Sequence, residues 1–110
     1  MTPIESKVAP ITTYFAVRRA PATGWVSGIP LRSQPLWPEH VVFMDALAAE
    51  HFVVLGGPIG EDNEALLVID APSEAAVRDR LSQDPWTTTG ILAIRSIEAW
   101  TILLNSRPAR

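Results

Sequence analysis

"HFVVLGGPIGEDNEALLVIDA", residues 51 to 71, holds two short apolar runs around a polar turn. "FVVL" and "LLVI" are rich in β-branched residues, and Gly, Pro, Asp and Asn bound them, so both read as strands. On this reading "HFVVLGGPIG", 51 to 60, ends in a Gly-Gly-Pro turn, and "GEDN" closes a hairpin onto "EALLVIDA", 64 to 71. Neither run alternates apolar with polar. Strands of that kind are buried on both faces.

The flanking segments supply the rest of a sheet. "ITTYFAVRR", 11 to 19, is β-branched and aromatic and predicts a first strand. A helix is expected from Pro38 to Glu50, because Pro suits the first helical position and His40, Phe43, Met44 and Leu47 recur at i, i+3, i+4, i+7. After the hairpin, Ser73 offers an N-cap to "EAAVRDRLSQ", with Glu74 and Arg78 as an i, i+4 pair. "DPW" breaks that helix, and "GILAIRSIEAWTILL", 90 to 104, gives a last strand or a bent pair of strands.

The order β-α-β-β-α-β predicts an α+β, ferredoxin-like fold with an antiparallel sheet. Two helices cover one face of such a sheet. The apolar second face calls for a cover, and a second copy of the chain is the cheapest one. The expected assembly is therefore a homodimer, a dimeric α+β barrel. Any cleft would lie between helix and sheet or near the dimer seam.

With 110 residues, 47% of them hydrophobic, the chain is expected to form one domain over 1–110, with flexible ends at 1–9 and 105–110. Residues 20–37 carry three prolines and two glycines and predict a long loop; loops of that length often act as lids or binding segments. A net charge of −3 with scattered arginines, Arg18-Arg19 being the only pair, argues against nucleic acid. The absence of cysteine removes disulfides, thiolate catalysis and Cys-based metal sites, and suits a reduced cytoplasm. No apolar leader and no run long enough to span a bilayer is visible, so a cytoplasmic protein without a membrane partner is expected.

His40 is the first candidate for chemistry, since a titratable group stands on an apolar helix stripe. It reads either as a buried histidine bonded to backbone or as a general base, and the field of the first helical turn favours the neutral, basic form. Asp84 stands at the expected C-terminal end of the second helix, facing its negative pole. Either it opens an Asp-Pro turn, or a donor such as a histidine compensates it and is oriented in return. His51 reads as a surface or capping residue after the first helix. Two histidines eleven residues apart form no metal-ligand spacing, so no metal is expected. Gly56-Gly57-Pro58 lacks the pattern of a phosphate loop; it serves a turn or lets backbone approach a ligand. Trp37 and Trp86 flank the His and Asp motifs and fit the walls of an apolar pocket, whereas Trp100 fits the core. Arg95, inside an apolar strand, either snorkels to an edge or meets an anionic substrate. The substrate pocket is accordingly expected to gather Trp37, Phe43, Gly57, Pro58, Trp86 and Arg95 around the catalytic pair.

The runs "EHVVFMDALAAEHFVVLGGP", "LLVIDAPSEAAVRDRLSQDPW" and "GILAIRSIEAWTI" together resemble the YCII-related (YciI-like) family over about residues 38 to 103. The resemblance implies a ferredoxin-like dimeric α+β barrel and a site built on a His and an Asp, here His40 of "PEHVVFM" and Asp84 of "SQDPW". It further implies lyase or isomerase chemistry on cyclic, enolisable compounds, without metal or organic cofactor. The rival reading is a non-catalytic dimeric module that holds a small metabolite.

Overall fold

Along the first strand, β1 (Tyr14–Pro21), the residues Phe15, Val17 and Arg19 are buried while their neighbours are half-buried. This is the period of two that sends one row of side chains into a core. The computed structural model describes residues 14–61, 63–104 and 106, so the expected strand start at 11–13, the end 1–9 and all of 105–110 except Ser106 lie outside the described residues. The other elements are α1 (Trp37–Ala49), β2 (Val53–Ile59), β3 (Glu64–Asp70), α2 (Glu74–Leu81), the one-turn helix α3 (Pro85–Thr88) and β4 (Leu92–Trp100).

The strands form one sheet in the order β2-β3-β1-β4, and every neighbouring pair is antiparallel. The hairpin β2–β3 and the placement of β1 between β3 and β4 make this the ferredoxin-like arrangement. The helices lie on one face. There Phe15, Val17, Leu67 and Ile69 of the sheet pack with Leu47, Val77 and Leu81 of α1 and α2. A second cluster, Leu31, Trp86, Ile91 and Leu92, closes one end of the sheet.

Gly56, Gly57 and Pro58 do not form a turn. They lie inside β2, opposite Leu67, Leu66 and Ala65, and the turn comes after them, at Gly60, where φ is 71°. β2 is the edge of the sheet, where a proline without an amide hydrogen is tolerated. Gly56 packs closely, since a Cβ there would stand 2.6 Å from Cδ2 of buried Leu67 and that side chain would have to shift. Trp100 also departs from its expected core position: it is 47% exposed on the last residue of β4, opposite Tyr14.

The segment between β1 and α1 is not an open lid. It contains a 3-10 turn, Leu31–Ser33, and is tied to itself and to the body. Buried Gln34 accepts from the Val26 amide at 2.8 Å and donates to the carbonyls of Val26 and Ile29. The Trp86 indole donates to the Pro35 carbonyl at 2.6 Å. Leu36 then takes the left-handed conformation, φ 64° and ψ 21°, and its carbonyl accepts the His40 amide. Such backbone costs about 1–3 kcal/mol for a non-glycine residue, and packing on both sides must hold it in place.

α1 ends in a Schellman motif. The His51 amide donates to the Ala48 carbonyl and the Phe52 amide to the Leu47 carbonyl, with His51 itself at φ 64°. His51 is therefore the exposed residue after the cap, at the position that glycine favours. His51→Gly is expected to raise stability by about 1 kcal/mol, because only the side chain opposes this backbone conformation. Urea unfolding of the two proteins checks it.

Candidate active site

Asp84 is fully buried, and every ordinary route of neutralising it converges there. α2 ends at Leu81, so Asp84 does not face that helix's negative pole; it is the N-cap of α3, and its Oδ1 accepts the Trp86 amide at 2.9 Å. The adjoining Pro85 suits the first turn, and the Asp84 carbonyl accepts the Thr87 amide. The two readings of "DPW" thus coincide: it is a turn starter and also a binding carboxylate.

His40 comes to this carboxylate from α1. Its Nδ1 lies 2.9 Å from Oδ2 and 3.0 Å from Oδ1 of Asp84. A carboxylate accepts, so Nδ1 carries the hydrogen and Nε2 is left for another partner. The imidazole stacks on the Trp86 indole, with centroids 3.9 Å apart and planes 7° from parallel. Trp37 leans on both rings, at 5.9 Å from His40 and 5.6 Å from Trp86. With the Trp86 indole nitrogen fixed to Pro35, the imidazole has one orientation available.

The third member of the cluster is Arg19, which the sequence reading passed over. Its Nη1 donates to Asp84 Oδ2 at 2.7 Å and its Nη2 to Thr87 Oγ1 at 2.7 Å. The Thr87 hydroxyl in turn donates to the Leu81 carbonyl. Arg19 is 1% exposed, and its Nε has no hydrogen-bond partner among the described residues. The signal was available in "FAVRR": Arg19 shares the parity of Phe15 and Val17, whereas Arg18 does not.

Burial alone pushes the Asp84 carboxyl up. Hydrogen bonds from His40, from Arg19 and from the Trp86 amide, with the Arg19 charge, outweigh it and hold the group below its ordinary value of 3.8. Asp84 is therefore an anion throughout the neutral range, a fixed acceptor and not a proton donor.

A cavity of about 250 Å3 adjoins the imidazole, between α1 and the β2–β3 hairpin. Trp37, His40, Met44 and Ala48 line it from α1, Gly56, Gly57 and Pro58 from β2, and Leu31 and Trp86 from the end of the sheet. Of the residues expected around the pair, Trp37, Gly57, Pro58 and Trp86 are brought to this cavity. Phe43 is not: it lies back around α1 on the side turned to the core and packs there. Arg95 is not: β4 shifts register opposite Arg18 and Arg19, and the Arg95 side chain, 60% exposed, binds Glu64 at 2.8 Å. Arg18 reaches the same Glu64 at 3.4 Å. Among the described residues the only charged one lining it is Asp45, exposed on α1. Among the described residues no three His, Asp or Glu side chains converge as metal ligands.

The fold and the site describe a small ferredoxin-like α+β domain with an oriented imidazole beside an aromatic cavity. The sequence pattern of the YCII-related domain matches residues 19–101, and the chain belongs to the YCII-related family. Among solved structures it is similar to 5-chloro-2-hydroxyhydroquinone dehydrochlorinase (TftG) from Burkholderia phenoliruptrix AC1100, in complex with 2,5-dihydroxybenzoquinone. That likeness has a TM-score of 0.57 at 22% identity and covers 80% of this chain and 92% of the other. Among curated proteins none matches this chain.

The buried ion pair makes Asp84→Asn costly. It leaves the Arg19 charge unmatched, an expected loss of about 3–5 kcal/mol at neutral pH. The sign with pH follows from a carboxyl held low in the folded state. Its stabilisation is complete above the ordinary value of 3.8 and is lost as pH falls through the lower folded value. The stability gap between wild type and Asp84→Asn should therefore narrow as pH falls below about 3.8. Denaturant titrations at several pH values measure it; a gap independent of pH would contradict the assignment of Asp84 as the buried anion.

Proposed function

We propose that the protein is a small-molecule enzyme of the lyase or isomerase type, working as a homodimer in the cytoplasm. The observation that carries the reading is an imidazole whose Nδ1 is bound to a buried anion while the ring faces an apolar, aromatic-walled cavity. A base held in this way has Nε2 free for a substrate proton. The dehydrochlorinase of similar fold, solved with a quinone, supports a cyclic, enolisable substrate.

In the chemistry proposed, Nε2 of His40 takes a proton from a ring hydroxyl or from carbon next to a carbonyl. The electron pair left behind forms an enolate. That pair then expels a leaving group, which is the lyase outcome, or takes a proton back from the His40 imidazolium at another carbon, which is the isomerase outcome. Asp84 keeps the ring in the correct tautomer, and the Trp86 face accommodates the imidazolium. The apolar walls hold a flat ring and exclude water. No step requires a metal or an organic cofactor.

The second sheet face supports the homodimer. Leu55 is 68% exposed on it, and an open cleft of about 480 Å3 runs past Leu55, Val68, Trp100 and residues 101 to 104. A second copy covering this face would hide these apolar groups on both partners. Leu55→Glu is expected to shift the protein to monomer in sedimentation equilibrium, while the wild type sediments as a dimer.

Catalysis is tested by following solvent deuterium uptake and halide release from hydroxyquinols and related cyclic enols. His40→Ala is expected to lose about 10²–10⁴-fold in rate. The variant should stay folded, because Asp84 keeps Arg19 and the Trp86 amide. Binding of these rings by the wild type without turnover would replace the enzyme reading with a metabolite-binding module.

A further inference from the structure

We propose that Arg19 is a positioning residue of this site: anchored by Thr87, its guanidinium matches the charge of Asp84, so that the carboxylate orients His40 without locking it as a cation. The inference rests on the proposed role of His40 and adds the group that sets its protonation.

One carboxylate faces two side chains able to carry a positive charge. Arg19 is a cation unconditionally, and its contact with Asp84 at 2.7 Å is buried on both sides. The charge balance of the cluster is therefore complete with a neutral imidazole. A bare buried carboxylate would do the opposite, since an opposite charge at this range favours the imidazolium. A base that holds its proton too firmly neither accepts the substrate's proton nor passes it on. Arg19 cancels the charge of Asp84 and leaves its hydrogen bond to Nδ1 in place.

The guanidinium is held there at a cost. Its buried Nε–H has no partner among the described residues, and an unmet buried donor is destabilising. An apolar pair in place of both Arg19 and Asp84 would avoid that cost, and apolar replacement of a whole buried ion pair is often stabilising. Stability alone does not account for an arginine here. Thr87 accounts for its fixed position, because the hydroxyl gives its hydrogen to the Leu81 carbonyl and turns a lone pair to Nη2.

The other charged groups near the imidazole are few. Glu39 and Asp45 are exposed on its own helix, with Asp45 at the cavity. Leu31 and the cavity-lining residues from β2 and β3, Val53 to Pro58, Ala65 and Leu67, are uncharged. Only Asp84, from the turn before α3, and Arg19, from β1, are buried with it.

The test is an NMR titration of the two histidine rings in the full chain, with exposed His51 at the far end of α1 as the internal reference. Arg19→Gln is expected to move the His40 midpoint to higher pH by about one unit, a tenfold gain in proton affinity, and to leave His51 unmoved. Arg19→Lys, which keeps the charge, should return it close to wild type. An unmoved His40 midpoint in Arg19→Gln would overturn the inference. If that variant does not give a folded spectrum, Thr87→Val removes the anchor at Nη2 and leaves the guanidinium held by Asp84 alone; a smaller upward shift supports the proposal and none overturns it. The result is separable from catalysis: a shifted midpoint in a protein without turnover removes the enzyme reading alone, and an unmoved one in an active enzyme removes this inference alone.

Discussion

The carboxylate of Asp84 is the constraint on which the site depends. It is the only point where β1, α1 and the α3 turn meet through charged or hydrogen-bonding side chains: Arg19 from the first, His40 from the second, the Trp86 amide from the third. A charge with no access to water is tolerable only when it is paired and hydrogen-bonded, and here three donors, one of them charged, reach it. Removing Arg19 would leave Asp84 without an opposite charge inside the domain. The geometry of the imidazole is therefore a consequence of how the domain closes, and does not depend on the ligand.

The aromatic side chains extend the same logic. Trp86 is buried beneath the imidazole, with its indole nitrogen spent on the Pro35 carbonyl. Trp37 begins α1 directly after the strained Leu36, and that backbone conformation sets how the helix enters the cluster. The loop that looked like a lid from its prolines is instead the wall against which the two tryptophans rest. It is tied together by Gln34, whose amide replaces regular hydrogen bonds that the loop backbone lacks.

What was legible in the sequence was local or periodic. The Ser73 cap accepts the Ala76 amide as its position implies, and Arg78 reaches Glu74 one turn back. The two-sided apolar runs of the hairpin gave away a sheet with an unfilled second face. The meeting of His40 and Asp84 is one of two open readings of the residues and is singled out by family resemblance, because 44 residues separate them. The failures have distinct physical causes. α3 is four residues long, too short for any periodic signal, so the role of Asp84 as its cap was hidden. Proline in β2 is permitted only because β2 is an edge, a fact of strand order and not of sequence. Phe43 and Met44 are equally apolar and both pack against the core, and only the rotation of α1 against the sheet lets Met44 alone also line the cavity.

Arg19 is the instructive omission. The two adjacent arginines read only as a basic pair too small for nucleic acid, yet a strand sends consecutive residues to opposite faces. Arg18 joins Arg95 on Glu64 at the outer side, while Arg19 enters the core. The local rule that a core row should be apolar is broken at one position, and that position is beside the buried histidine that lines the cavity. Violations of this kind mark functional sites when a charge is placed where a hydrophobe would pack at lower cost. The parity of a strand, counted before its charges are grouped, would have separated the two arginines and joined the third side chain to the pair.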